Sequence, residues 1–199
     1  QQTLTRMAPM LFLAASLIVA FRAGIWNLGI DGQFLLGAVA AATAPLLVMV
    51  MPVWLALIVG FALAALVAML WSLVPALLKA YHGVNEIITT LMMTFLGVSF
   101  ANVLVKLVFL DPDTTVPQTR TLPVEDRLPR LFDTTISSGV ILGLIAVIAV
   151  HLMMTRTAFG LKLRVVGANP RAAVHAGLNV PWLTILVFAI SAGLAGMAG

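Results

Sequence analysis

From Phe34 to Leu78 the chain reads FLLGAVAAATAPLLVMVMPVWLALIVGFALAALVAMLWSLVPALL, and no Asp, Glu, Lys or Arg interrupts it between Gln33 and Lys79. As one helix rising about 1.5 Å per residue this run would be roughly 67 Å long, against about 30 Å for the hydrocarbon core of a bilayer. The run therefore turns once and makes two crossings. Pro52 is the predicted turn. A break at Pro45 would leave only residues 34–44 in front of it, too few to span, so Pro45 is predicted to kink the second crossing instead.

Working outward, further crossings are predicted at Met7 to Phe21, Ile87 to Leu110, Ile136 to Thr155, and from Trp182 to the end of the sequence. The expected fold is all-α: a polytopic membrane protein with about six transmembrane helices, residues 1–199 forming a single transmembrane domain. Composition agrees, since 62% of the 199 residues are hydrophobic and 9% charged, where soluble domains are about a quarter charged. The chain opens at Gln1 and closes on Ala198 and Gly199 inside an apolar run. It is read as a fragment with further spans beyond it.

Charge placement orients the spans, because cytoplasmic loops carry the excess of Lys and Arg. Arg156 to Pro181 holds Arg156, Lys162, Arg164 and Arg171 with no acid, whereas Asp111 to Thr135 holds five acids and three arginines. The first is predicted cytoplasmic and the second, with its four prolines, an external loop. Alternation then places Arg22 to Gln33 and Lys79 to Glu86 inside and Pro52 outside. The net charge of +4 is absorbed by this asymmetry, and no basic tract with interleaved aromatics suggests nucleic acid. Without cysteine, disulfides, thiolate metal sites and Cys nucleophiles are excluded, and the three His match no ligand spacing. Neither a metal, a cofactor nor a catalytic set is expected.

Four places carry polar chemistry. Phe21 to Gly37, FRAGIWNLGIDGQFLLG, interrupts the apolar pattern with Asn27, Asp31, Gln33, Gly24, Gly29 and Gly32. Two readings stay open. Half-spans can meet here and line a solute path with Asn27, Gly29, Asp31, Gly32 and Gln33, or the segment is an interfacial loop with Asp31 as helix N-cap and Trp26 as aromatic anchor. Asn85 and Glu86 open the fourth span, where a carboxylate either meets solute or merely suits the helix macrodipole. Asn102, an amide inside a span, should face protein or water and suits an interhelical hydrogen bond or a solute contact. Thr89, Thr90, Thr94 and Ser99 can bond to their own helix and carry no information by themselves; Lys106 can snorkel. Last, in RTAFGLKLRVVGANPRAAVHAGLNVP, Arg156 to Pro181, Asn169 suits an N-cap, Pro170 the first helical position and Gly177 the residue past the end. That punctuation specifies about two turns of helix, too short to stand in water without a packing partner. The alternative is a helix lying on lipid, Arg164 and Arg171 near anionic headgroups.

The pieces FRAGIWNLGIDGQ, NEIITTLMM and VGANPRAAVHAGLNV, in that order and separation, resemble the permease subunit of bacterial ABC importers for simple sugars and nucleosides, with branched-chain amino acid and ribose permeases as more distant relatives. The resemblance implies a multi-pass protein of the bacterial inner membrane that is not itself an enzyme. It implies three partners: a cytoplasmic ATP-binding subunit that hydrolyses ATP, a second permease subunit, the same or homologous, and an extracytoplasmic solute-binding protein. The GANPRAA segment resembles the family's coupling helix, so Arg164, Gly167, Asn169, Pro170, Arg171, Ala172, Ala173 and Gly177 are expected at the ATPase contact, with Ala172 and Ala173 admitting a close partner surface. The family's usual FNIGAEGQ stands here as Trp26 to Gln33, and the Gly-Gln ending is nearer nucleoside-type than ribose-type relatives. A secondary transporter or channel subunit would share the broken span but would have no need of a docking helix.

Overall fold

The computed structural model describes residues 7–109, 119 and 138–199. The described part is helical throughout, with no strand. Its helices are α1 (Met7–Arg22), α2 (Ile30–Ala41), α3 (Ala44–Val48), α4 (Val53–His82), α5 (Glu86–Leu107), α6 (Gly139–Arg156), α7 (Ala158–Ala168), α8 (Pro170–His175) and α9 (Val180–Ala198). Five stretches are long and apolar enough to cross a membrane: Ile30–Val48, Val53–His82, Glu86–Leu107, Gly139–Arg156 and Val180–Ala198; the 16-residue α1 is a shorter apolar helix. The chain is a multi-pass membrane protein.

The two prolines divide the long apolar run as expected. Pro52 caps α4 in an extended conformation, φ −56° and ψ 143°, and so ends the crossing before it. Pro45 sits in the first turn of α3, just after the interruption at Ala42 and Thr43, so that α2 and α3 together make one kinked crossing. The expected external loop Asp111 to Thr135 lies, Thr119 excepted, outside the described residues.

Packing centres on α9, which lies against α4, α1 and α2, while α6 packs on α1 and α5 on α2 and α4. The contact face of α4 is a row of small residues four apart: Ala56, Gly60, Ala64, Ala68, Ser72 and Ala76, all buried. On α9, Gly193 and Gly196 face this helix; a Cβ on Gly196 would fall 2.6 Å from the Ala68 Cβ. Gly37 of α2 lies so close to the Gly196 backbone that no side chain fits between them. In lipid, where apolar side chains gain nothing from leaving water, close backbone approach and dispersion hold helices together, and small residues make that approach possible. The outward face of α4 is apolar and large, with Trp54, Ile58, Leu66, Leu70, Val74 and Leu77 exposed. In water such a face would aggregate; in a bilayer it is the solvated surface.

One helix was not anticipated. The sequence predicts a loop with one short helix from Arg156 to Pro181, yet α7 fills residues 158–168. Thr157 caps it by accepting from the Gly160 amide, and Gly160, Leu163 and Val166 are buried. Their three-residue spacing is the signal that was available.

Candidate functional site

The break between α1 and α2 is closed by a buried knot of polar side chains. Asn27 and Gln33 are 0% and 1% exposed. The Asn27 amide donates to Gln33 Oε1 at 3.1 Å and to Ser191 Oγ on α9 at 3.0 Å. Its carbonyl oxygen accepts from the Gly29 amide at 3.1 Å and from Gln33 Nε2 at 3.3 Å. Because the Gly29 N–H can only donate, it fixes which way the Asn27 amide points. Ser16 of α1 completes the knot, donating to the Ser191 carbonyl at 2.7 Å, its oxygen 3.0 Å from Ser191 Oγ. Asn27 thus uses both donors and both acceptor lone pairs. Buried away from water, an irregular backbone is kept only where its polar groups are satisfied in this way.

Helix α5 clamps the other side of the break. Leu28 donates its N–H to Thr90 Oγ1 at 3.2 Å, and its carbonyl accepts from Thr94 Oγ1 at 3.1 Å. Thr90 is fully buried and also donates to the Glu86 carbonyl at 2.6 Å. Two threonines that the sequence left as back-bonders therefore hold one residue of the break by both its backbone groups. Gly32 makes the clamp possible: a Cβ there would come 3.0 Å from the Thr94 Cα. Ser16, Thr90, Thr94 and Ser191 are the residues that sequence reasoning missed. Small hydroxyls at span positions were the only sign of them, and such residues are common wherever membrane helices meet.

The other candidate residues are not gathered into this knot. Asp31 is exposed in the first turn of α2, and among the described residues its carboxylate has no partner. It is not the N-cap; that position belongs to Gly29, and no side chain caps α2. Asn85 is the N-cap of α5, accepting from the Ile87 amide at 2.9 Å. Glu86 is 9% exposed and pairs with Lys79 Nζ at 2.6 Å, pinning the end of α4 to the start of α5. Asn102 lies exposed on α5, and the expected interhelical bond is not formed among the described residues. Trp26 is 54% exposed and tilts against Phe21, ring centroids 5.1 Å apart, as an interfacial anchor would.

The short helix has the predicted punctuation. Asn169 Oδ1 accepts from the amides of Arg171 and Ala172, Pro170 opens α8, and Gly177 follows it in the left-handed region, φ +78°. Its packing corrects one expectation. Ala173 is 0% exposed and belongs to the chain's own core with Leu163, Val166 and Leu183, so it cannot admit a partner surface. In a helix, the residue beside an inward one turns away from it by about 100°. Arg171, Ala172, Val174 and His175 are the exposed positions, and Arg164 on α7 is exposed as well. The helix is not isolated either: it packs on α7 and α9. Gly167 also faces inward. A Cβ there would lie 2.5 Å from the Arg22 carbonyl oxygen, and Gly24, at φ +70°, would place its own 3.1 Å from the Gly167 Cα. The start of the break and the α7–α8 unit thus meet backbone to backbone.

The fold and site define a multi-pass helical membrane protein with a buried polar break and a capped helix at its basic end. The chain belongs to the family described as branched-chain amino acid transport system / permease component, whose model matches residues 1–199. It is 28% identical over 211 residues to the nucleoside ABC transporter permease protein NupB of Lactococcus lactis subsp. cremoris, covering 100% of this chain and 57% of that protein. It is likewise 28% identical over 211 residues to the glucose ABC transporter permease protein TsgB13 of Haloferax volcanii, covering 100% and 55%. To the guanosine ABC transporter permease protein NupP of Bacillus subtilis it is 29% identical over 206 residues, covering 100% and 58%. The chain spans somewhat more than half the length of these relatives. No solved structure matches it at a significant level. The permease resemblance read from the three sequence pieces is the one these matches bear out.

Proposed function

We propose that the chain is part of the membrane-spanning subunit of an ATP-driven importer in the bacterial inner membrane, moving a nucleoside or simple sugar inward. NupB and NupP are named for nucleosides and guanosine and TsgB13 for glucose, which supports that solute class. The partners of this reading are a cytoplasmic ATP-binding subunit, a second permease subunit and an extracytoplasmic solute-binding protein. The observation that carries it is the contact of Gly24 with Gly167. The exposed face of α8 receives the ATPase, α7 and α8 move as one packed unit, and their motion reaches the break through two glycine backbones with no flexible side chain between them. Arg171 and Arg164 suit acids on the ATPase.

In this reading Asn27 and Gln33 set the shape of the break, the Asn27 amide being fully used within the chain and the Gln33 amide bonded to it through both its oxygen and its nitrogen. Solute contact falls to Asp31, whose carboxylate is free of partners among the described residues, and to the exposed Asn102; Gly29 and Gly32 let the backbone pass close by. Asn85 and Glu86 stabilise the helix start beside the path.

Two measurements test this. Cysteines introduced at Thr119 and Ala168 should react with a membrane-impermeant thiol reagent from opposite sides, Thr119 from outside; reaction of both from one side removes the coupling assignment. Proteoliposomes holding the full-length protein with its ATPase and binding protein should take up labelled nucleosides or simple sugars only when ATP is supplied. Uptake driven by an ion gradient without ATP would instead establish a secondary transporter, which needs no docking helix.

A further inference from the structure

Helices α1 and α6 run parallel and are closest near their first turns, where a Cβ on Gly143 would come 3.0 Å from the Leu11 Cβ and 3.2 Å from the Ala8 carbonyl oxygen. Toward Arg22 and Arg156 they part, leaving a groove of about 340 Å³. Its walls are apolar: Ile18 and Phe21 are exposed along one side, and Val150 and Met154, 5% and 3% exposed, close the floor. Its polar groups lie at one end only, with Arg22 as the last residue of α1 and His151 on α6. His151 stands five residues before Arg156, about 7.5 Å along the helix from its end.

We propose that this groove seats an anionic phospholipid, with one acyl chain in the apolar wedge and the phosphodiester on Arg22 and His151. Three observations select that occupant. Among the described residues neither the Arg22 nor the His151 side chain has a hydrogen-bond or ion-pair partner. No carboxylate lines the groove; of the two described acids, Glu86 is paired with Lys79 and Asp31 stands at the start of α2. Charge there is uncompensated in one sign, which suits a phosphate. The wedge also matches a lipid better than a soluble anion, because free phosphate would leave its apolar walls facing water. The paired rings of Trp26 and Phe21 mark the same interface beside Arg22. The inference needs only that the protein is embedded in a bilayer, so it stands or falls apart from the transport reading.

Native mass spectrometry of the full-length protein in mild detergent, titrated with phosphatidylglycerol or phosphatidylcholine of equal chain length, tests it. Wild type should retain phosphatidylglycerol preferentially. Arg22→Gln combined with His151→Ala should lower that retention about tenfold, the size expected for losing a charge-assisted phosphate contact. Arg22→Lys should recover part of it, and Lys162→Gln, a cation on α7 outside the groove, should leave it unchanged, as should added inorganic phosphate. An unmoved thermal unfolding midpoint in the Arg22→Lys protein guards against reading misfolding as lipid loss. Equal retention of the two lipids by wild type, or full phosphatidylglycerol retention in the double variant, would overturn the proposal; the former would mean that the groove is either filled by any lipid or covered by another membrane helix.

Discussion

Ala172→Glu is expected to abolish solute-stimulated ATP hydrolysis, and co-purification of the ATP-binding subunit with it, while leaving the membrane bundle intact. The neighbouring change, Ala173→Glu, should do something different in kind. Ala172 is exposed on α8, so a carboxylate there is solvated in the free subunit and becomes an uncompensated charge only when a partner covers it. Such a charge costs an interface about 2–5 kcal/mol, enough to dissociate one of modest affinity. Ala173 is wholly buried against Leu163, Val166 and Leu183. A carboxylate forced into that contact has no partner and pushes α8 off the chain, with an expected loss of about 3 kcal/mol or more. Thermal unfolding in detergent separates the two: the midpoint should be unchanged for Ala172→Glu and clearly lowered for Ala173→Glu. Normal coupled ATP hydrolysis in Ala172→Glu would take the docking role away from this helix.

Asn27→Leu should be the most damaging conservative-volume change in the break. It removes four hydrogen bonds, to Gln33 twice, to Ser191 and to the Gly29 amide. Individual side-chain bonds inside membrane proteins contribute on average about 0.6 kcal/mol and at most roughly 1.7. Four of them put the loss near 2–3 kcal/mol, and the groups left behind push it toward the upper end, because the Gly29 N–H and the Gln33 amide would stay buried without partners. The expected result is a lowered unfolding midpoint together with lost uptake. Ser191→Ala removes only one acceptor of Asn27 and the hydroxyl facing Ser16, so it should cost about 1 kcal/mol and keep partial uptake. If Asn27→Leu unfolds at the wild-type temperature yet transports nothing, the amide meets solute, and its part in shaping the break is secondary.

The sequence by itself determined that the long apolar run makes two crossings and where the chain is punctuated. The charge-free length from Phe34 to Leu78 required one reversal, and Pro52, with its fixed φ and missing N–H, placed it. Asn169, Pro170 and Gly177 specified α8 because caps act on the residues beside them, within one turn. What lay beyond the sequence was which side of each helix meets another. A soluble helix reveals its inner face by polarity, but a membrane helix is apolar all round, so its hydrophobic pattern does not say where the core is. The row from Ala56 to Ala76 on α4 was the one readable exception, since only small residues allow backbones to close in. Nothing local distinguishes Ala173, buried, from Ala172, exposed, nor shows that Asn27 reaches Ser191 some 164 positions away. The same holds for Gly24 and Gly167, whose meeting depends on α1 and α7 being brought side by side. Those pairings are set by the way the helices fit around α9, and only the folded bundle decides them.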